Sequence, residues 1–186
     1  MLNNKRLTLV VLKKLILFLF ILAPFHISNA QKFAVKSNLL SDLTLSPNLG
    51  IELVANRHLS FALNGTVRPW SFPGDEMSFA VVNPQIRYWF QRPLCRLFVG
   101  VEGVYIDNDI KIKDTGYKGD CKGAGLLVGY DWVLSSRWNL EASIGCGAVY
   151  ANQYKYEGVK GQFDINYKKW IPMLTSCSLS FIYIIK

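Results

Sequence analysis

The sequence predicts an all-β protein, an eight-stranded antiparallel transmembrane up-and-down β-barrel, and three observations carry that prediction. Segments of about 12 residues alternate apolar with small or polar side chains, the period of a strand with two different faces. The connectors between them alternate short and long, as turns and loops do on the two sides of a membrane barrel. The less apolar face is mostly glycine, serine and asparagine with isolated charges, too sparse for strands that meet water.

Residues 1–30 read as a signal peptide. Asn3, Asn4, Lys5 and Arg6 precede the apolar run LILFLFILAPF at 15–25, and Ser28, Asn29 and Ala30 place small residues at the cleavage spacing. A retained anchor is the alternative, but Lys13 and Lys14 interrupt the run and Pro24 closes it short of the ~20 residues a spanning helix needs. Cleavage after Ala30 leaves 31–186 as one outer-membrane barrel domain. It removes four basic residues and no acid, so the remainder has 17 basic against 13 acidic residues, a net charge of +4. An exported chain with its lysines mostly in two loops is a poor fit to nucleic acid.

The strand candidates follow in order: FAVKSNLLSDL (33–43), LGIELVA (49–55), HLSFALNGTVRPW (58–70), SFAVVNPQIRYWF (78–90) and RLFVGVEGVYIDND (96–109). The clearest pair is KGAGLLVGYDWVLSSRWNLEASIGCGAVY (122–150). Its first arm sets Ala124, Leu126, Val128, Tyr130, Trp132 and Leu134 against Gly123, Gly125, Gly129 and Asp131. After Ser135, Ser136 and Arg137 the second sets Trp138, Leu140, Ala142, Ile144 and Ala148 against Asn139, Glu141, Ser143, Gly145 and Gly147. PMLTSCSLSFIYIIK ends the chain as the eighth strand. No helix is expected. Long loops are expected at 110–121 and about 152–171, and Asn83 and Pro84 break the alternation of the fourth strand as a bulge or bend would.

Slipping any strand by one residue would put a charge into lipid, which fixes the register. Aromatics gather near strand ends, and Trp70, Tyr88, Phe90, Tyr105, Trp132, Trp138, Tyr150 and Tyr183 are expected at the membrane interfaces. A soluble ligand-binding barrel would share the period with the faces exchanged, and its outer face would carry many Lys and Glu.

Lys36, Glu52, Arg68, Arg87, Glu102, Asp131 and Glu141 fall in the inward register. Two neighbouring carboxylates, Asp131 and Glu141, could share a proton in an enzyme, yet a satisfied interior ion-pair network is the expected reading, because an unpaired buried ion costs several kcal/mol. Past the signal, His58 is the single histidine, at a turn, so a hydrolase of the familiar kinds lacks its base. No catalytic, cofactor or metal residues are assigned. Cys95, Cys121, Cys146 and Cys177 are expected as free thiols.

FAVKSNLL followed by PNLGIE, then NPQIRYWF, GYDWVLSSRWNLEASIG, YANQYKY and SFIYIIK resemble an uncharacterised family of small outer-membrane barrels of Bacteroides-type bacteria, domain of unknown function 3575. Phe33 to Lys186 carries the resemblance, with Arg137 to Glu141 its most specific part. It implies an outer-membrane barrel with a role at the cell surface, through association with fimbria systems. The chain differs from the family at its last loop and at Cys146 and Cys177, and it ends on Lys186 rather than on the terminal aromatic common in proteobacterial barrels.

The expected function is therefore display rather than catalysis. Tyr117, Tyr154, Tyr156, Tyr167, Lys168, Lys169 and Trp170 are the expected loop contacts to an external protein or acidic glycan, on a monomeric barrel set in outer-membrane lipid. A narrow channel for small or hydrophobic solutes is the alternative, since glycines thin part of the inner wall; a lipid-modifying enzyme using Asp131 or Glu141 is a third.

Overall fold

A computed structural model of the chain describes residues 32–68, 76–112, 115–157 and 167–185, with side chains placed at all of these except 76–77, 109–118 and 153–167. Eight antiparallel strands close into a barrel in sequence order: β1 (Phe33–Asn38), β2 (Asn48–Val54), β3 (Leu59–Arg68), β4 (Glu76–Trp89), β5 (Arg96–Ile112), β6 (Thr115–Val133), β7 (Trp138–Glu157) and β8 (Tyr167–Ile185). β8 pairs back onto β1, from Phe33 opposite Ile185 to Asn38 opposite Ser180, which closes the ring. This is the predicted fold, reached with three local differences.

The first strand stops five residues early. Asn38 accepts a hydrogen bond from the Leu40 amide at 3.2 Å and so caps a short helix, α1 (Leu39–Leu43). Asn48 then ties the connection shut, donating to Asp42 Oδ1 at 2.7 Å and to the Asn38 carbonyl at 3.1 Å. Short polar side chains here satisfy the backbone locally and outcompete strand pairing.

Within the two expected long loops the described residues are strand. β5 and β6 pair in one register out to Ile112 opposite Thr115, and β7 pairs with β8 as far as Gln153 opposite Tyr167. Outside an apolar zone a ladder needs only its backbone partners, so the lost alternation does not end the pairing. The wall is consequently lopsided: β1 and β2 have 6 and 7 residues, β7 has 20. At ~3.3 Å per residue β7 runs roughly 45 Å further than β1 along the strand direction.

Asn83 and Pro84 make no bulge. β4 keeps one register against β5 on both sides of them, Val82 opposite Tyr105 and Gln85 opposite Glu102, and both pair with β3. Asn83 Nδ2 donates to the Gly103 carbonyl at 2.7 Å, supplying a bond that the proline nitrogen cannot. The bulge lies in β8, where Gly145 faces Ser176 but Cys146 faces Leu174, leaving Thr175 as the extra residue.

The end bearing the short turns is plugged. Ala34, Val54, Trp89, Leu94, Phe98, Leu127 and Ile182 form one buried cluster across the lumen. Leu94 comes from the β4–β5 turn, where it and Arg96 take left-handed backbone angles, φ 59° and 63°. That conformation costs roughly 1 kcal/mol per residue, offset by burying a leucine, worth about 1.5–3 kcal/mol. The exterior is apolar: Leu126, at 70% exposure, is flanked by exposed Val128, Ile144 and Val101.

Candidate functional site

Above the plug the lumen is crossed by a charged layer. Lys36 from β1, Glu52 from β2, Arg87 from β4 and Glu141 from β7 are all buried and converge because each falls in the inward register of its strand. Glu52 Oε2 accepts from Lys36 Nζ at 2.7 Å and from the Arg87 guanidinium at 2.9 Å, while Oε1 accepts from Ser60. Arg87 reaches both oxygens of Glu141, at 2.6 and 3.1 Å, and Lys36 lies 3.6 Å from that carboxylate. Two cations and two anions balance, which lets them stay ionised away from bulk water.

Arg87 is the hub. Its Nε donates to Gln85 Oε1 at 2.9 Å, and its guanidinium lies 4.5 Å from the centre of the Phe98 ring. Gln85 passes the network on, donating to Glu102 Oε2 at 3.0 Å. Glu102 also accepts from Thr175 and Ser176, consecutive residues of β8 that both reach the lumen because of the bulge. Ser60 accepts from Trp89 Nε1 at 2.8 Å, joining the layer to the plug. A carboxylate held in this way is a structural anion with little freedom to act as base or nucleophile.

Asp131 differs from the other three acids. It stands directly opposite Glu141, accepts from Asn139 Nδ2 at 3.1 Å, and leaves Oδ1 without a partner. Among the described residues no cation ion-pairs with it. Asp131→Asn is therefore expected to raise stability, by about 1 kcal/mol or more, since the amide removes a buried charge and adds a donor. An upward shift of the urea midpoint checks this.

Arg68 lies outside the layer. It is eight positions along β3 from Ser60, opposite Phe79, near the end that bears the long hairpins. Gln85, Ser60, Thr175 and Ser176 were missed as members. The first two could have been found, because each shares an inward register with a charged residue; the bulge that turns Thr175 inward leaves no trace in the alternation.

On the hairpin side the layer forms the floor of a polar cavity of about 230 Å³, walled by Asn38, Asn64, Thr66, Ser176 and Ser178. Glycines of the inner wall are filled against, not left open. A Cβ at Gly145 would strike the Glu102 carboxylate, and one at Gly129 would strike the Phe98 ring.

The described aromatics expected at the membrane interfaces sit on the outer surface. Tyr88, Phe90, Tyr105, Trp132 and Trp138 are exposed, and Tyr150 and Tyr183 are partly so. Tyr88 packs on Phe90 and Tyr130 on Trp132 along the chain, while Trp138 packs on Tyr183 and Tyr150 on Trp170 across neighbouring strands. Trp70 lies outside the described residues, as do the side chains of Tyr117, Tyr154, Tyr156 and Tyr167. Lys168, Lys169 and Trp170 are exposed, and they stand on β8 rather than on a loop. His58 is a turn residue stacked on Tyr88, its Nδ1 2.9 Å from the Trp89 carbonyl oxygen. None of the four cysteines is in a disulfide, and Cys146 and Cys177 face outward. Among the described residues no group of His, Cys, Asp or Glu could hold a metal ion.

Fold and lumen together define a small eight-stranded barrel with an apolar exterior, a plugged turn end and an ion-paired interior. The chain belongs to the family described as "Protein of unknown function (DUF3575)", whose model matches residues 15–185. Among solved structures it is similar to the crystal structure of Neisserial surface protein A (NspA), at 15% identity with a TM-score of 0.39, over 84% of this chain and 94% of that one. No curated protein matches it.

Proposed function

We propose that this chain is an outer-membrane barrel that neither conducts nor catalyses, and that it presents its tall β5–β8 wall at the cell surface to a protein or acidic glycan. The observation that carries this reading is the asymmetry along the barrel axis. The turn end is stopped by Trp89, Leu94 and Phe98, whereas the hairpin end projects strands well past the low wall and bears exposed Lys168, Lys169 and Trp170. The apolar exterior suits acyl chains, and the predicted signal peptide supports export. Against catalysis, Glu52 and Glu141 are each held by Arg87, and His58 is engaged at the opposite end from the polar cavity.

Planar bilayers test the reading. The refolded barrel is expected to insert, to migrate faster on gels when unheated, and to give no single-channel steps. Reproducible steps abolished by substitutions that narrow the lumen would favour the channel instead.

A further inference from the structure

The charge of the barrel is sorted along its axis. Lys32, Arg57, Arg92, Arg96 and Arg137 are exposed at the turn end, and every acid among the described residues lies in the lumen or at the hairpin end. Among the described residues none of the five ion-pairs with an acid, and Arg137 donates to the Tyr183 hydroxyl at 3.3 Å. Their level is set by the aromatics beside them: Arg57 precedes His58, Arg92 follows Phe90 by two residues and Arg137 precedes Trp138. Cations just beyond a ring of interfacial aromatics stand where lipid phosphates lie. Four of the five are arginine, whose planar fork matches a phosphate better than lysine does.

Within this collar is a cavity of about 250 Å³ between the β4–β5 and β6–β7 turns, lined by Lys32, Arg92, Ser135, Ser136 and Asn139. Asn139 is fully buried. Its Nδ2 donates to the Leu94 carbonyl at 2.8 Å and to Asp131 at 3.1 Å, and its Oδ1 has no partner. The cavity thus offers two cations for an anion and one buried acceptor for a hydroxyl.

We infer that this cavity binds the glycerophosphate headgroup of an anionic phospholipid, with the phosphate on Lys32 and Arg92 and a glycerol hydroxyl donating to Asn139 Oδ1. The inference rests on the membrane reading above and adds to it a lipid-specific site in the leaflet at the turn end.

The test refolds the full barrel into phosphatidylcholine vesicles with or without phosphatidylglycerol, extracts it in mild detergent and measures the lipid it retains by mass spectrometry. Wild type is expected to retain phosphatidylglycerol over phosphatidylcholine. Lys32→Gln with Arg92→Gln is expected to lower that retention about tenfold, and Arg57→Gln with Arg137→Gln, outside the cavity, to leave most of it. Equal loss from both pairs, or no lipid preference in wild type, would reduce the cations to a diffuse collar and overturn the site. Displacement of the lipid by dilute glycerol 1-phosphate would assign the cavity to a soluble phosphate and overturn the lipid assignment. Heat-modifiable insertion into phosphatidylcholine alone reports the membrane reading separately; failure to insert in either vesicle would defeat that reading and this site together.

Discussion

Arg87→Ala is expected to lower the unfolding free energy of the barrel by about 3–5 kcal/mol, the range for breaking one partner out of a buried ion pair. The guanidinium touches Glu52, Glu141 and Gln85 and covers the Phe98 ring. Its removal leaves Lys36, among the described residues, as the one cation between two buried carboxylates, and takes packing from the plug as well. Electrostatics and packing can be separated by a double substitution. Arg87→Met with Glu141→Gln removes one charge of each sign and leaves the 2.7 Å pair between Lys36 and Glu52 intact. It is expected to recover most of the loss, because a buried ion pair replaced by neutral groups of similar volume is often close to neutral. Urea titration followed by tryptophan fluorescence, with the unheated gel shift as a second readout, measures both variants. An unchanged midpoint for Arg87→Ala would mean that water reaches the layer and screens it.

The features legible in the sequence are those that a period of two encodes. Lys36, Glu52, Arg87 and Glu141 could be placed in the lumen because their neighbours along each strand are apolar and outward-facing. The opposition of Asp131 and Glu141 followed from the three-residue turn between their strands. Three kinds of feature left no such trace. α1 depends on Asn38 capping and on Asn48 reaching back across ten residues, contacts that no alternation records. The extended walls of β5 to β8 were read as loops because alternation stops where the apolar surroundings stop, although backbone pairing continues. Finally, proline was taken as the sign of irregularity in β4, when the Asn83 side chain repairs the ladder there and the real bulge falls at Thr175, among residues that look regular.

Gly129→Val is expected to destabilise the barrel by about 1–3 kcal/mol, the usual cost of forcing extra methyl groups into a packed core, or to prevent folding altogether. A Cβ at this position would overlap the Phe98 ring and lie 2.7 Å from the Ser143 Cβ. The ring has nowhere to go: Trp89 packs against it at 4.6 Å between centroids, and Arg87 sits 4.5 Å from its centre. Phe98→Leu alone leaves a cavity and is also expected to cost stability. Combined with Gly129→Val the losses should partly cancel, since the valine occupies space that the smaller side chain vacates, giving a coupling between the two sites rather than additivity. Unfolding midpoints of the four chains close the cycle. Additive losses would mean that the glycine does not accommodate Phe98. If its role were instead to widen a passage, Gly129→Val would lower conductance while leaving the midpoint alone. The two uses of an inner-wall glycine therefore predict opposite pairs of results, and the filled lumen favours the one in which stability changes.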